Sequence, residues 1–262
     1  MKAYCLASSS SGNCFVLEFD INGRPTRIMV ECGLPMSEIY SKLNEIDIQL
    51  SSIDACLITH AHSDHSKSAQ RLNKLGVRLF AHKKTFEALG IIGHNLIVGE
   101  ANKIARGIAV MPFEVEHDIE GALGYVIKSP SECVIFIIDH KRFAQNLKNF
   151  KPDYVFIECN FDDKMVYAQL SEATKILNDE NVTGSDRIQV RNKKKQLDRN
   201  INSHCSLRGT IKGLRKMNLS RCRTIFLTHL SDRYANEYKM KSTIEGIFHI
   251  RTYVCKKGGG IK

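Results

Sequence analysis

The chain has 262 residues, of which 43% are hydrophobic, and this is enough to build one large domain around a buried core. No apolar run approaches the length of a membrane span, and the nine scattered cysteines lack a Cys-x-x-Cys pair, so we expect reduced thiols and a cytoplasmic protein without a membrane segment. The net charge of +10 is compatible with a polyanionic partner, although solubility alone would also explain it.

The first half of the chain is predicted to be rich in strands. Its predicted elements are a hairpin at 3–7 and 14–19, a strand at 27–31, a helix at 35–43 and a strand at 54–58. Gly12 tolerates the positive φ that the hairpin turn needs. A further helix is expected after the strand at 54–58, with Ala69 and Leu72 on its inner face.

The second half is predicted to alternate strands and helices. Strands are predicted at 77–80, near 96–98 and at 108–115, 124–127, 133–138 and 154–157, helices at 166–177, 206–217 and 238–247, and a last strand just before His229. Residues 178–203 are predicted to form a basic polar loop and residues 256–262 a frayed tail. Periodicity alone therefore predicts a single α/β or α+β domain that spans residues 1–262.

Residues 59–65, with the sequence THAHSDH, are the most informative stretch of the chain. Three imidazoles and one carboxylate fall within six residues, directly after an apolar strand, and such groups suit Zn²⁺, Mn²⁺ or iron. His60 and His62 point the same way in an extended segment, whereas Asp64 and His65 follow as the chain turns into a helix and can face a second ion. A polar loop with scattered histidines is the plain alternative, and the dense spacing argues against it.

Three further candidate ligands, His117, Asp139 and His229, each follow an apolar run of strand type. Asp139 is adjacent to His140, and we favour Asp139 as the ligand because the apolar run stops there. His140 is then expected beside the ligands or at the solvent. Asp118 is expected either to orient an imidazole or to belong to a polar loop.

The H-x-H-x-D-H spacing and these later residues together resemble the signature of the metallo-β-lactamase superfamily. The resemblance implies a four-layer αβ/βα sandwich, in which helices cover the outer sides of two facing sheets. It also implies two divalent transition-metal ions, Zn or Mn with Fe as a further option, which share a hydroxide that acts as the nucleophile. The implied ligands are His60, His62 and His117 for one ion, Asp64, His65 and His229 for the other, and Asp139 for both.

Asp64 and His204 are the candidate catalytic residues. His204 comes just before the predicted helix at 206–217, and a helix N-terminus favours anions. The pattern His204-x-Ser206, followed later by Leu-Thr-His at 227–229, resembles the end of tRNase Z and related phosphodiesterases. This resemblance implies that His204 acts on the substrate while His229 binds metal. A position beside the helix cap without a chemical role is the alternative.

Within the superfamily, the chain resembles most the YycJ/WalJ group of small hydrolases. The Ser-rich hairpin at 6–14, the Gly121-x-x-Gly124 segment and the Glu-x-Asn-x-Asp stretch at 158–162 carry this resemblance, which implies DNA exonuclease activity. The chain departs from the group at Cys205 and in the basic segment before His204. These departures leave the substrate open.

The basic segment at 186–200 contains six cations and two anions. Lys193, Lys194 and Lys195 within it are candidate substrate-binding residues that would follow the phosphates of a nucleic acid. The segment lacks aromatic residues, so such binding should be independent of base sequence. A solvated loop is the alternative.

These features favour a two-metal phosphodiesterase or nuclease whose partner is DNA or RNA, and a DNA exonuclease in particular. A hydrolase of small esters, thioesters or cyclic phosphates would use the same metals but does not explain the positive charge. A non-catalytic nucleic-acid-binding module would not need the full ligand set. The sequence leaves open the choice between DNA and RNA, the metal and the oligomeric state, a homodimer included.

Overall fold

Two β-sheets face each other across an apolar layer to which both contribute large side chains. The computed structural model describes residues 1–179 and 181–256. Phe15 of the first sheet meets Phe136 and Phe156 of the second, edge-on, with ring centroids 5.3 and 5.9 Å apart. Edge-to-face aromatic pairs add to the free energy gained by burial, so this layer holds the two sheets together as the centre of the fold.

The first sheet has the strand order β1-β2-β3-β4-β5-β6. Its strands are β1 (Lys2–Ala7), β2 (Cys14–Asp20), β3 (Pro25–Val30), β4 (Ala55–Leu57), β5 (Leu79–Ala81) and β6 (His94–Asn95). The pairs from β1 to β3 are antiparallel, and those from β3 to β6 are parallel. Ile28 and Val30 face the second sheet while Met29 faces outward, yet all three are buried. Both faces of this sheet are therefore covered.

The second sheet has the order β13-β12-β11-β10-β9-β8-β7. Its strands are β7 (Asn102–Ala105), β8 (Ile108–Glu114), β9 (Leu123–Lys128), β10 (Cys133–Ile137), β11 (Tyr154–Glu158), β12 (Thr224–Thr228) and β13 (Arg251–Val254). The strands from β10 to β13 are parallel, and those from β7 to β10 are antiparallel. The carboxyl ends of β10, β11 and β12 therefore meet at one edge of the sheet.

Helices cover the outer faces of both sheets. They are α1 (Met36–Asn44), α2 (Ser63–Ser66), α3 (Ala69–Lys74), α4 (Lys83–Leu89), α5 (Asp163–Asn178), α6 (Gly184–Ser203), α7 (Leu207–Leu214) and α8 (Glu237–Phe248). Ile39 and Leu72 pack with the outer side chains of the first sheet, and Leu214 and Ile244 pack with those of the second. The four layers match the predicted αβ/βα sandwich.

The prediction of a polar loop at 178–203 is wrong, because α6 occupies Gly184–Ser203. Lys, Arg and Gln, which dominate this segment, are good helix formers. Leu197 is fully buried in a small cluster with Val166 of α5, and Ile201 packs against the same cluster one turn later. An apolar stripe with so few members is lost among the charges of the sequence, which is why the periodicity did not reveal the helix.

Smaller differences concern short elements at the edges of the sheets. The strand expected near 96–98 is β6, which ends before Leu96. Helix α4 and strands β7 and β13 were not predicted, and each is at most seven residues long. The predicted frayed tail lies outside the described residues, apart from Lys256.

Among the helices that the structure describes, none combines the length and apolar character needed to cross a membrane. All nine cysteines are free thiols, and eight of them are buried. Burial raises the pKa of the Cys14 thiol well above its usual value, as expected for a cysteine that serves as a small apolar side chain.

Candidate metal centre and active site

The candidate residues gather at the carboxyl ends of the central strands. β4 leads into His60, β10 into Asp139 and β12 into His229, while Glu158 is the last residue of β11. Parallel strands bring the residues that follow them to one edge of a sheet, which is where ligands bind in open α/β sheets. Residues that are up to 169 positions apart in the sequence thus meet in one cleft.

The first cluster consists of His60, His62, His117 and Asp139. His62 Nδ1 lies 3.1 Å from both His60 Nε2 and His117 Nε2. Asp139 Oδ2 lies 3.5 Å from His60 Nε2 and 3.4 Å from His117 Nε2. Three imidazole nitrogens and one carboxylate oxygen therefore converge on one point.

The hydrogen bonds behind the first cluster fix which nitrogen faces inward. His117 Nδ1 lies 3.1 Å from the carbonyl oxygen of Ser203, which can only accept, so Nδ1 carries the proton and donates it. In the neutral ring, Nε2 then presents a lone pair to His62 and to Asp118, whose Oδ1 is 3.1 Å away. Lone pairs that face other acceptors repel one another unless a cation lies between them.

The second cluster consists of Asp64, His65, His229 and the same Asp139. His65 Nε2 lies 3.3 Å from Asp64 Oδ2 and 3.1 Å from Asp139 Oδ2. His229 Nε2 lies 3.5 Å from Asp64 Oδ2 and has no hydrogen-bond partner among residues 1–179 and 181–256, although it is buried. A buried ring nitrogen without a partner is costly in a purely protein environment, whether it carries a proton or a lone pair.

Both clusters fit divalent transition ions in donor type and in spacing. Ligand atoms at about 2.1 Å from a tetrahedral ion lie about 3.4 Å from one another. The donor pairs given above are 3.1–3.5 Å apart. Imidazole nitrogen and carboxylate oxygen are donors that suit Zn, Mn and Fe. The ligand set expected from the sequence is therefore assembled in space, with Asp139 Oδ2 between the two clusters.

Three residues at the site have left-handed backbone conformations that side chains rarely adopt. Glu31, Asp139 and His229 have φ values of 64°, 54° and 55°. Each such residue costs about 1–3 kcal/mol and persists only where the surroundings enforce it. Two of the enforcing contacts are visible: the Ser8 hydroxyl accepts from the His229 N–H at 2.8 Å, and Asn160 donates to the His229 carbonyl at 2.7 Å.

Glu158 is a fully buried carboxylate that joins His204 to His229. Its Oε1 accepts from His204 Nδ1 at 2.9 Å and lies 3.0 Å from His229 Nδ1. Its Oε2 accepts from the backbone N–H groups of His140 and Cys205. His204 Nδ1 is also 2.7 Å from Asp139 Oδ1, an ion-pair contact, although Asp139 Oδ1 has no hydrogen-bond partner within residues 1–179 and 181–256. His204 Nδ1 thus donates its proton to Glu158 with Asp139 beside it, and Nε2 remains for the cleft.

The charges of these groups follow from their neighbours. Burial opposes ionisation of Glu158, yet His204 and His229 hold its pKa at about 2. Burial opposes protonation of His204, yet Glu158 and Asp139 raise its pKa to about 10. Burial lowers the pKa of His60 to about 3, while Asp139 and the neighbouring carboxylates outweigh burial at His229 and raise its pKa to about 9. Without a metal ion, burial therefore favours the neutral ring of His60, whereas the surrounding carboxylates favour the protonated rings of His204 and His229.

Glu31 and Gly33 support the second cluster from β3. The Glu31 carboxylate accepts from the Thr59 N–H at 3.3 Å and lies 3.6 Å from His65 Nδ1, so it places a negative charge beside that ring without a hydrogen bond to it. A Cβ on Gly33 would lie 1.7 Å from the Asp64 carbonyl oxygen, so only glycine permits this approach. Sequence reasoning gave no role to Glu31 and Gly33 and placed Glu158 only within a family stretch. The available signal for both glutamates was a charged residue that ends an apolar strand, as at Asp139.

The remaining histidines and Asp118 are placed as follows. His140 is buried, with Nδ1 3.5 Å from Glu158 Oε2, and does not line the cleft. Asp118 lies at the cleft beside His117 and His62. The three histidines without motif partners have structural positions: His82 caps α4, His94 stacks on Phe80 and His249 ends α8 in a left-handed conformation.

The cleft above the clusters has a volume of about 550 Å³. Gln196, Arg199 and Asn200 of α6 line it together with Arg233. The first three belong to the basic segment predicted to bind phosphates, but the sequence singled out its lysines and not these residues. The three candidate lysines of α6 do not share a face, because consecutive helical residues are rotated by about 100°. Lys193 lines a second, neighbouring hollow, Lys194 pairs with Asp198 at 2.8 Å, and Lys195 is exposed on another side of the helix.

The chain is similar to known proteins in both sequence and fold. The profile of a family described as "Beta-lactamase superfamily domain" matches residues 26–229. "Exodeoxyribonuclease WalJ" of Streptococcus pneumoniae serotype 2 (strain D39 / NCTC 7466) is 32% identical over 176 residues, covering 62% of this chain and 63% of that protein. The chain therefore spans less than two thirds of the length of this relative.

Two solved structures share the fold over nearly the whole chain. The metallo-beta-lactamase fold protein YhfI from Bacillus subtilis superposes with a TM-score of 0.68 at 14% identity, covering 98% of each chain. The short form of human tRNase Z superposes with a TM-score of 0.61, also at 14% identity, covering 98% of this chain and 97% of that one. At such low identity these similarities concern the fold alone.

Proposed function

Because this chain belongs to the β-lactamase superfamily, we propose that it is a metal-dependent hydrolase that cleaves phosphodiester bonds in DNA. One observation carries the proposal: Asp139 Oδ2 lies within 3.5 Å of nitrogens from His60, His65 and His117, which belong to two different histidine clusters. A single carboxylate oxygen placed between two ligand sets is the arrangement that a two-ion site needs. The whole chain, 1–262, would act as one hydrolase domain.

The two ions would be held by the ligand sets expected from the sequence. They are His60, His62 and His117 for the first, Asp64, His65 and His229 for the second, and Asp139 for both. When bound, two divalent ions activate a water molecule near neutral pH and neutralise charge on the phosphate oxygens. Zn or Mn would suit these donors, and Fe is a further option.

The protein groups around the ions would position the substrate and handle protons. His204 donates its Nδ1 proton to Glu158 and lies beside Asp139, so its ring is fixed and its Nε2 can donate a proton to the leaving oxygen. Asp64, beyond its role as a ligand, lines the cleft and can accept a hydrogen bond that orients the attacking water. Both roles require the side chains to stay in place, and the buried Glu158 provides this for His204.

DNA is the proposed substrate for three reasons. The relative that is 32% identical is named an exodeoxyribonuclease. The net charge of +10 favours a polyanion. Arg199 and Arg233 stand at the cleft, where they can contact phosphates that flank the scissile bond.

The test uses purified protein and measures metal content and cleavage together. Labelled single-stranded DNA, double-stranded DNA, RNA and bis(p-nitrophenyl) phosphate should be offered with Zn²⁺ or Mn²⁺. We expect DNA cleavage that disappears after chelation and in His62→Ala, but not in the matched control His94→Ala, which removes an exposed histidine outside the clusters. Turnover of the small diester or of other small esters, without cleavage of any nucleic acid, would overturn the proposed substrate and favour a small-molecule hydrolase.

A further inference from the structure

A second hollow opens beside the active-site cleft and shares its wall. It also has a volume of about 550 Å³ and is lined mainly by α6, together with Gln169 of α5. Gln196, Arg233 and Tyr234 line both hollows. Arg233 donates to the side-chain oxygen of Gln196 at 3.5 Å, and these two residues lie between the hollows. The two hollows therefore adjoin, and together they are called the groove below.

The two hollows differ in charge. Four aspartates line the cleft beside two arginines and the two histidines whose pKa is raised, His204 and His229, so without bound cations the cleft has no excess of positive charge for a phosphate. The second hollow is lined by Lys193, Arg233 and four side-chain amides, and no carboxylate lines it among residues 1–179 and 181–256. Cations and amide N–H groups are the donors that hold phosphate oxygens. The side chains of the second hollow are therefore suited to bind a phosphate backbone without the help of bound cations.

The face of α6 that borders the groove is defined by helical spacing. Gln189, Lys193, Gln196 and Asn200 recur every three or four residues and line one or both hollows. Lys193 and Arg199 are about 9 Å apart along the helix axis. This separation corresponds to two or three phosphates at about 3.4 Å per nucleotide.

Other cations of α6 are engaged elsewhere or face away. Arg187 donates to the carbonyl oxygens of Leu177 and Val182, at and just beyond the C-terminal end of α5. Arg191 is exposed but is rotated by about 200° from Lys193 and lines neither hollow. Lys193 and Arg191 are thus a matched pair, two residues apart on the same helix with only one at the groove.

We propose that the second hollow is a binding track for the part of a polynucleotide strand that extends beyond the scissile phosphate. This inference rests on the proposed phosphodiesterase function. The strand would lead away from the histidine clusters, pass over Gln196 and Arg233, and lie along α6. Its phosphates would contact Lys193 and Arg199. The contacts are to the backbone, so binding on the track is independent of base sequence.

The test compares Lys193→Ala and Lys193→Glu with Arg191→Ala and Arg191→Glu. Affinity for a fluorescent single-stranded DNA 15-mer should be measured in EDTA, which prevents cleavage, over a range of salt concentrations. Loss of one phosphate contact should lower the slope of log K against log[salt] by about 0.7 and weaken binding about three- to tenfold at low salt. The Arg191 variants carry the same change in charge on the same helix and should keep the wild-type slope.

Cleavage kinetics then locate the contact. The KM for the 15-mer should rise in the Lys193 variants by a larger factor than the KM for a dinucleotide, which is too short to reach the second hollow. Equal effects of the Lys193 and Arg191 substitutions, or equal losses for the short and long substrates, would overturn the track. Wild-type protein that binds DNA with the expected salt slope but does not cleave it would refute the proposed function and leave the track supported. Lys193→Gln, with circular dichroism, separates loss of charge from loss of the helix.

Discussion

Replacing His204 with Ala should abolish most DNA cleavage while the metal content stays unchanged. His204 Nδ1 lies 2.7 Å from Asp139 Oδ1 and 2.9 Å from Glu158 Oε1, which are hydrogen-bond distances to two carboxylates. His204 also groups with Asp139, Glu158 and His229 at distances that a metal site could have. We expect it to stay outside the metal sites because Nδ1 donates its proton to Glu158 and then has no lone pair for an ion. The other nitrogen can reach the cleft, because the side chain lines it and is 17% exposed.

The size of the expected effect follows from the proposed role. Loss of a general acid lowers the rate by about 10²- to 10⁴-fold. The substitution also leaves Asp139 and Glu158 facing each other without the proton between them. Breaking a buried ion pair by removing one partner costs about 3–5 kcal/mol, so the variant stripped of metal should be less stable than the wild type. Bound cations should restore much of this loss, because they compensate the charge of Asp139.

The assay separates proton donation from metal binding. Metal content should be measured by elemental analysis, and cleavage should be compared for DNA and for bis(p-nitrophenyl) phosphate. p-Nitrophenolate leaves without a proton, so the loss in His204→Ala should be much smaller for that substrate. His140→Gln is the control, since His140 lies beside the same Glu158 but not at the cleft, and its backbone N–H bond at 2.6 Å is kept. It should not alter the difference between the two substrates.

Two results would refute this reasoning. If His204→Ala lost a metal ion while His229→Ala kept the full content, the roles of the two histidines would be exchanged. If the rate fell by the same factor for DNA and for bis(p-nitrophenyl) phosphate, His204 would bind or position the phosphate and would not protonate the leaving oxygen.

Three further predictions follow from the surroundings of the clusters. Glu158→Gln should reduce metal affinity about 10- to 100-fold, because the carboxylate orients the His229 ring, and a titration with Zn²⁺ against a competing chelator would measure this. Metal added to chelator-stripped protein at pH 7.5 should release about two protons, because the pKa of His229 is raised to about 9 and that of His65 well above its usual value. Calorimetry in two buffers would detect these protons. If no proton were released, His65 and His229 would not be the metal ligands. Gly33→Ala should lower the metal content because its Cβ would meet the Asp64 carbonyl at 1.7 Å, whereas Gly246→Ala, with open space around it, should not.

The grouping of the candidate ligands could be predicted from the sequence because metal binding restricts residue type and spacing together. His60, His62 and His65 stand out because three histidines lie within six residues. Asp139 and His229 stand out because each follows an apolar strand. The same rule would have identified Glu31 and Glu158, which also end apolar strands. A single glutamate has no companion in the local sequence, because its partners are 18 to 71 residues away in the chain.

The groove could not be predicted, for a different physical reason. Its residues are Gln, Asn, Lys and Arg on α6, which are also the ordinary residues of a solvated surface. The helix itself is held by few apolar contacts, chiefly those of Leu197. In a loop the three adjacent lysines would be equivalent candidates. In a helix, successive side chains are rotated by about 100°, so the three lysines lie on different sides of α6.

The position of α6 links substrate binding to the chemistry at the clusters. The last residue of the helix, Ser203, offers its carbonyl oxygen to His117 Nδ1 and thereby sets the ring nitrogen that faces the first cluster. Its hydroxyl donates to Asp118 at 3.2 Å, and the next residue along the chain is His204. A strand that lies along α6 would therefore contact the same element that orients the candidate ligand His117 and leads into His204, the proposed proton donor. A change in the orientation of this helix would alter binding, metal geometry and proton transfer together, so substitutions that disturb α6 as a whole should affect KM and kcat jointly, unlike those at Lys193.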